Sequence, residues 1–289
     1  MKRAQYFFSF ALATISFIAA RSIQKEGIQN YFEQVADQFQ EELGFIDFEH
    51  PAQVTYLPMG LQPLTALANI DTLQSVAIGQ DSLQLFSFDP SLHTFSPLLS
   101  FPEEKKISQI AAFDSTLVLL DQTQQLHFLA APYQLTTEQT YALSNEDSTK
   151  HLICYHPLLK RLLILNSTLL DNGMRRFVCQ TFNTNKRQLS QVPLFVFESD
   201  ELLFEPISMA IQPQSNACYL LSATGEVVVL NQEGAILNRQ QLPQSVSQPK
   251  LISFAPNGDL LATDANNLHP VVVRLAWQKM PSEQGTFVH

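Results

Sequence analysis

The fold is decided by the stretch from Phe204 to Leu275, which reads FEPISMAIQPQSNACYLLSATGEVVVLNQEGAILNRQQLPQSVSQPKLISFAPNGDLLATDANNLHPVVVRL. It contains one small unit twice: a short apolar strand, a polar turn, a second strand and another turn. The first unit has predicted strands over Ser208–Ile211, Cys218–Ser222, Glu226–Asn231 and Ala235–Gln240. The second unit has them over Leu251–Phe254, Asp259–Thr263 and Val271–Leu275. This alternation predicts a row of antiparallel hairpins.

The turns between these strands support the same interpretation. Asn257-Gly258 separates two apolar runs, and this dipeptide closes a tight hairpin because it tolerates positive φ. Ala223–Glu226 and Asn231–Gly234 are the corresponding turns of the preceding unit. Short strands with such turns are typical of all-β barrels, sandwiches and propellers. A repeat of about 40–45 residues favours the propeller, since that is the length of a four-stranded blade.

The repeat extends upstream, where each unit opens with a strand that ends in a proline or a short polar turn. The openings are Ala66–Asp71, Ile107–Phe113, Leu152–Pro157, Ser208–Pro213 and Leu251–Pro256. Their spacing predicts an all-β, six-bladed β-propeller over residues 53–278, with five or seven blades as alternatives. We expect Gln53–Met59 to pair with Val271–Trp277, because a shared blade removes free sheet edges.

The final third of the chain resembles a known family. Phe204-Glu205-Pro206, Ala210–Pro213, Tyr219–Ser222, Gln248-Pro249 and Ser253–Leu260 are similar to the end of the SdiA-regulated family of bacterial envelope propellers. The resemblance is looser but collinear from about Tyr56. It implies a six-bladed propeller at the cell envelope, of which this chain would be a divergent member.

Composition excludes some classes of function. The 289 residues are 45% hydrophobic and 15% charged, which is ample for a large folded domain. The formal net charge of −10 and the absence of a basic run argue against a nucleic-acid partner. The three cysteines lie within predicted apolar strands and lack C-x-x-C spacing: they are Cys154, Cys179 and Cys218. We therefore expect buried free thiols rather than a zinc site.

The N-terminus has the pattern of an exported protein. Met1–Ala20 has a basic start, a short apolar run and small residues at its end, which predicts a signal peptide or a membrane anchor. Gly27–Leu43 carries apolar residues three or four apart and predicts an amphipathic helix, either a docking helix or a cap on its own domain. Residues 279–289 read as a loose tail. We therefore expect a periplasmic or envelope-associated protein, with membrane association through the N-terminus.

The central channel is where we expect a site. In the resembled family a glutamate-glycine pair recurs near the channel end of several blades. This chain has instead Pro249-Lys250-Leu251-Ile252, His151-Leu152, Ser108-Gln109 and Pro63–Ala66 at the matching positions. Losing these carboxylates would remove most of the negative charge that a channel cation needs. The candidate ligand-binding residues are His151 and Lys250, predicted to face the channel together, and Asp264.

These observations predict a non-enzymatic propeller that binds a protein partner or a small ligand. The sequence has no H-E-x-x-H pair, no G-x-S-x-G turn and no glycine-rich phosphate loop, so we assign no catalytic residue, metal or cofactor. The alternative is a metal-dependent ester or lactone hydrolase with calcium in the channel. That alternative predicts a pocket lined by Asp264 or by the acidic segment Glu198–Glu201.

Overall fold

In the computed structural model the described part of the chain forms five antiparallel sheets and one two-stranded ribbon. The structure describes residues 44–57, 64–69, 75–79, 83–89, 94–102, 106–130, 140–143, 151–199, 204–265 and 271–279. The predicted signal, the predicted helix over 27–43 and the tail beyond residue 279 lie outside these ranges.

Each sheet is a blade of successive antiparallel strands, numbered here in chain order. Blade 1 consists of β3 (Ala66–Asn69), β4 (Ser75–Ile78), β5 (Gln84–Asp89) and β6 (Thr94–Ser100). Blade 2 consists of β7 (Ile107–Phe113), β8 (Thr116–Asp121), β9 (Gln125–Ala130) and β10 (Thr140–Ala142). Blade 3 consists of β11 (His151–His156), β12 (Arg161–Leu169), β13 (Arg175–Asn183), β14 (Gln188–Leu189) and β15 (Phe195–Ser199).

The last two blades contain the stretch Phe204–Leu275, from which the fold was predicted. Blade 4 consists of β16 (Pro206–Ile211), β17 (Cys218–Ser222), β18 (Glu226–Leu230) and β19 (Ile236–Gln241). Blade 5 consists of β20 (Pro249–Phe254), β21 (Leu260–Asp264), β22 (Val271–Leu275) and β2 (Gln53–Tyr56). The ribbon pairs β1 (Gly44–Ile46) with β23 (Trp277–Lys279).

The blades form a closed ring of five. The first strands β3, β7, β11, β16 and β20 contact one another in that order, and β20 returns to contact β3. The all-β propeller prediction is therefore confirmed, whereas the predicted six blades are wrong. The five strand openings read from the sequence are the five inner strands. The long interval from His156 to Pro206 is filled by the nine-residue strands β12 and β13 and by the split outer strand β14 and β15, not by another blade.

The core lies between neighbouring blades, because each strand turns alternate residues toward opposite faces of its sheet. In β17, Leu220 packs with blade 3 residues, whereas Tyr219 and Leu221 pack with blade 5 residues. All five residues of β17 are buried. Five apolar clusters result, one for each pair of neighbouring blades.

The ring is closed by strands from both chain ends. As predicted, β2 is the outer strand of blade 5, with Val54 opposite Val273 and Thr55 opposite Val272. The ribbon of β1 and β23 adds a second connection that the sequence did not suggest. Ile46 and Phe48, in and just after β1, are buried in the cluster between blades 4 and 5, and Trp277 packs against that cluster.

The predicted hairpin at Asn257-Gly258 is confirmed, but only its glycine has positive φ, at 92°. Gly258 donates its N–H to the carbonyl of Ala255, and the N–H of Ala255 bonds to the carbonyl of Asp259. A Cβ on Gly258 would also clash with the side chain of Gln214 in blade 4. Glycine is thus required here by the backbone of the turn, and a larger residue would also displace the end of the Gln214 side chain.

Candidate functional site: the hub of the propeller

A cavity of about 140 Å³ lies at the hub, where the five inner strands converge. Hydrogen bonds between blades show that these strands run in the same direction. Ser208, third in β16, bonds to Ile252, fourth in β20, and Asn69 at the end of β3 bonds to Phe254 at the end of β20. The starts of the inner strands therefore meet at one mouth of the cavity, which we call the hub cavity.

Three of the five inner strands carry a β-bulge at the same place, one residue after the strand begins. The bulged residues are Ser108 in β7, Ile207 in β16 and Lys250 in β20. All three line the hub cavity. A bulge leaves one residue out of the ladder and changes the direction of its side chain, and bulges are frequent next to binding sites. The repeated bulges therefore shape one mouth of the cavity.

A buried polar residue stands beside each bulge, at the end of the second strand of the blade. Asp121, Ser222 and Asp264 lie opposite the residue that precedes the bulge in blades 2, 4 and 5. Asp121 accepts from the N–H of Gln125, and Ser222 accepts from the N–H of Glu226. These residues fix the turns and loops at the mouth, so their oxygens are part of the scaffold.

Several polar side chains at the hub join one blade to the next. Gln109 of blade 2 accepts from the N–H of Ile153 in blade 3 at 2.7 Å. Ser208 of blade 4 accepts from the N–H of Ile252 in blade 5 at 3.1 Å. Asn69 of blade 1 donates to the carbonyl of Phe254 in blade 5 at 2.5 Å. These bonds satisfy inner-strand groups that have no further strand to pair with.

Lys250 is the one charged residue among the described residues that line the hub cavity. Its side chain is exposed, and within the described part of the chain it forms no ion pair. The sequence prediction placed Lys250 at the channel, and the structure puts it there. An ammonium group offers three donors to a ligand at this mouth.

His151 does not share the hub cavity with Lys250, contrary to the sequence prediction. It opens β11, whose register has no bulge, and it stands opposite Asn166. Its ring Nδ1 bonds instead to Gln124 Oε1 of blade 2 at 2.6 Å, and its backbone N–H bonds to the same oxygen at 3.3 Å. Burial lowers the pKa of His151, which favours the neutral ring.

Asp264 lies outside the cavity lining and acts within the scaffold. One carboxylate oxygen accepts from the backbone N–H and the hydroxyl of Ser247, at 2.9 and 3.0 Å, and the other accepts from the N–H of Gln248 at 3.0 Å. These bonds hold the loop that leads into β20 and hence set the position of Lys250. Charge-assisted bonds of this kind are stronger than neutral ones.

Of the acidic segment named by the hydrolase alternative, the described Glu198 also lies outside the cavity lining. Glu198 lies on β15, the outer strand of blade 3, where its carboxylate pairs with Arg176 at 2.6 Å. Residues 200 and 201 lie outside the described ranges. Across the described residues, no group of three or more His, Cys, Asp or Glu side chains is arranged to hold a metal ion.

A second buried polar group lies in blade 2. His127 Nε2 bonds to Asp121 Oδ2 at 2.7 Å, and both side chains are almost fully buried. Burial raises the pKa of the Asp121 carboxyl, but bonds from His127, the Gln125 N–H and the Thr123 hydroxyl outweigh it and hold that pKa below its usual value. The pair is buried within blade 2, and neither residue lines the cavity.

The three cysteines are free and buried, as expected. Cys154, Cys179 and Cys218 share the core between blades 3 and 4, and Cys154 also lines the hub cavity. Burial raises the pKa of Cys218 to about 12, and it raises the pKa values of the other two well above the usual value. Since the thiolate is the reactive form, none is suited to nucleophilic chemistry.

The comparisons with known proteins support the fold and no more. No model of a protein family matches the chain, and no curated protein matches it. A crystal structure of Myxococcus xanthus glutaminyl cyclase is similar with a TM-score of 0.57 at 11% identity, over 80% of this chain and 97% of that one. The PQQ-bound aldose sugar dehydrogenase from Streptomyces coelicolor is similar with a TM-score of 0.51 at 10% identity, over 82% of this chain and 99% of that one. At such identity the likeness shows a shared β-propeller architecture.

No helix within the described ranges has the length and apolar character needed to cross a lipid bilayer.

Sequence reasoning missed the three bulges and the buried Asp121 and Ser222 beside two of them, and it named Asp264 as a ligand-binding candidate rather than as part of the scaffold. In two of the blades the sequence does contain a signal of the bulge. Pro206 and Pro249 each stand directly before a bulged residue and open an inner strand. A proline is tolerated there because it occupies the first position of a strand with an unpaired edge.

Proposed function

We propose that the chain is an exported propeller that binds a small ligand at the mouth of the hub cavity and catalyses no reaction there. The observation that carries the proposal is the cavity itself, which is lined by all five inner strands and reshaped at one mouth by three bulges. A pre-formed concave site is the usual form of a small-molecule site.

The polar groups at the hub favour binding over catalysis. Gln109, Ser208 and Asn69 are engaged in bonds between blades, so they serve the scaffold. Among the described residues that line the cavity there is no carboxylate or imidazole, so this lining offers neither of the commonest general bases and no hard oxygen ligands of the carboxylate type. The resemblance to the SdiA-regulated propellers supports an envelope role without the channel carboxylates of that family.

Export is part of the proposal and rests on the basic start and apolar run of Met1–Ala20. Fusion of the full chain to a reporter that is active only outside the cytoplasm would test it. Replacing Lys2 and Arg3 and interrupting the apolar run with charges should abolish export of the reporter. Reporter activity that is unaffected by these changes would contradict the export part.

The competing hypothesis of a hydrolase is tested by assays of ester and lactone hydrolysis. The full chain should not hydrolyse p-nitrophenyl acetate or γ-butyrolactone above the buffer rate, with or without calcium. Turnover that depends on calcium and is lost on chelation would overturn the non-enzymatic proposal.

The location of binding is tested with a blocking variant. We expect ligands found by a thermal-shift screen of small molecules to stabilise the wild-type chain, because a ligand that binds only the folded state raises its melting temperature. Ser108→Leu places a larger apolar side chain at a bulge that lines the cavity and should abolish these shifts. Shifts that persist unchanged in a folded Ser108→Leu variant would place binding elsewhere and contradict the hub proposal.

A further inference from the structure

We infer that the ligand of the hub cavity is a small organic carboxylate whose negative charge pairs with Lys250. The inference rests on the proposed hub-binding function and adds the chemical class of the ligand. Its first support is charge. The chain carries a formal net charge of −10, yet the one charged residue in the described lining of the cavity is a lysine. A local cation in an acidic protein selects for an anion at that position.

The acid closest to Lys250 in the ladder does not neutralise it by direct pairing. Asp264 stands opposite Pro249, the residue before Lys250. Its two carboxylate oxygens accept three hydrogen bonds from Ser247 and Gln248. The bonds direct this carboxylate toward the loop before β20. The ammonium group of Lys250 is thereby left for a partner from solution.

The bulges place further backbone groups at the same mouth. A bulged residue has no partner in the register of the ladder, which changes the direction of its backbone. Ser108, Ile207 and Lys250 supply three such positions around the cavity. The hydroxyl of Ser108 itself donates to the carbonyl of Leu120 at 3.0 Å, which fixes its orientation. Backbone donors of this kind can orient a carboxylate that Lys250 attracts.

Size and valence narrow the class of anion. A cavity of about 140 Å³ is close to the ~150 Å³ engineered cavity that holds benzene. One lysine balances one negative charge, whereas a phosphate dianion is usually held by several cations or a bidentate arginine. These features together describe a monocarboxylate of about the size of propionate to benzoate.

The test measures binding of defined probes to the full chain by calorimetry and thermal shift. The probes are propionate and benzoate, their neutral counterparts propionamide and benzamide, and inorganic phosphate. We expect the carboxylates to bind, the amides to bind at least tenfold more weakly, and phosphate to bind more weakly than benzoate. Raising the sodium chloride concentration should weaken carboxylate binding, because salt screens an exposed charge pair.

Three variants assign the effect to Lys250. Lys250→Met should weaken benzoate binding by roughly 10- to 100-fold, the usual effect of losing a bond to a charged group. Lys250→Arg keeps the charge and should retain binding within a few fold. Lys186→Met removes an exposed lysine from the turn between β13 and β14 and is the matched control, which should bind as the wild type does. Circular dichroism melts establish that each variant is folded.

Several outcomes would overturn the inference. Amides that bind as tightly as carboxylates, a Lys250→Met variant that binds benzoate normally, or a preference for phosphate would each do so. If only neutral molecules bind and Ser108→Leu abolishes their binding, the hub-binding proposal stands and the carboxylate assignment fails. If every ligand that binds is insensitive to Ser108→Leu, the hub-binding proposal fails as well.

Discussion

At the residue scale, the most informative single group is His156, at the end of β11. Its side chain is 2% exposed, and its Nδ1 accepts the N–H of Leu159 at 3.4 Å. Burial lowers the pKa of His156 to about 4. The folded state therefore holds a neutral imidazole that the unfolded chain would protonate near pH 6.5. Burial of His156 therefore makes the fold less stable in acid than it would be without this residue.

The sign of the effect follows from the lowered pKa. Stability from the neutral His156 is fully present above about pH 6.5 and is lost as the pH falls toward 4, where the loss reaches about 3 kcal/mol. His156→Asn keeps an acceptor but cannot be protonated, so its free energy of unfolding should fall less between pH 7 and pH 4.5. Urea unfolding at several pH values measures this difference. The exposed His50→Asn control should follow the wild type, and identical profiles for all three proteins would refute the prediction.

At the same scale, side-chain direction was the part of the site hardest to predict. Both His151 and Lys250 occupy the start of an inner strand, and the sequence suggests that they face one channel. Only Lys250 lines the cavity, because β20 is bulged at that residue whereas β11 keeps its register through His151. A bulge depends on how two strands pair across a turn. Apart from Pro249 before Lys250, the residue pattern of a single strand does not contain that information.

At the element scale, the start of β20 depends on Asp264 at the end of β21. Asp264→Ala would leave the N–H groups of Ser247 and Gln248 without their acceptor, and we expect a loss of about 2–4 kcal/mol in the free energy of unfolding. The exposed Asp171→Ala variant is the control and should change stability by under about 0.5 kcal/mol. Denaturant unfolding of both variants measures the two changes in the free energy of unfolding.

This experiment also separates a scaffold role for Asp264 from a catalytic one. A scaffold role predicts lower stability together with weaker binding at the hub, since the loop before Lys250 is released. A normally stable Asp264→Ala variant would contradict the role proposed here. The three buried groups Asp121, Ser222 and Asp264 would then need another explanation for their common position.

The turns and the inner strands could be predicted, because local sequence determines where they lie. Asn257-Gly258 and the glycines at 225 and 234 mark turns, and each of those glycines has positive φ in the structure. The five inner strands were also found at the predicted openings. The blade count was not, because the extra length between His156 and Pro206 enters longer strands of blade 3. Repeat length alone does not tell a long blade from an additional one.

At the scale of the whole molecule, two strands from the N-terminal side close the ring, and they contribute differently. β2 completes blade 5 through backbone pairing, yet its side chains are mostly exposed, including Tyr56 at 70%. β1 pairs only with β23, but it brings Ile46 and Phe48 into the core between blades 4 and 5. The sequence suggested the first closure through strand pairing. The second closure, by β1 and β23, depends on the burial of Ile46 and Phe48. The alternation of residues in a short terminal strand does not reveal that burial.

The unequal burial predicts unequal effects for two aromatic residues eight positions apart. Phe48→Ala should cost about 3 kcal/mol and lower the melting temperature by roughly 10 °C, because it removes a buried ring and leaves a cavity between blades. Tyr56→Ala removes an exposed ring from the outer strand and should change stability by under about 0.5 kcal/mol. Calorimetric melts of the full chain with each substitution measure both effects. Equal losses would mean that β2, rather than the segment around β1, holds the ring closed, and a negligible loss from Phe48→Ala would show that blades 4 and 5 stay packed without it.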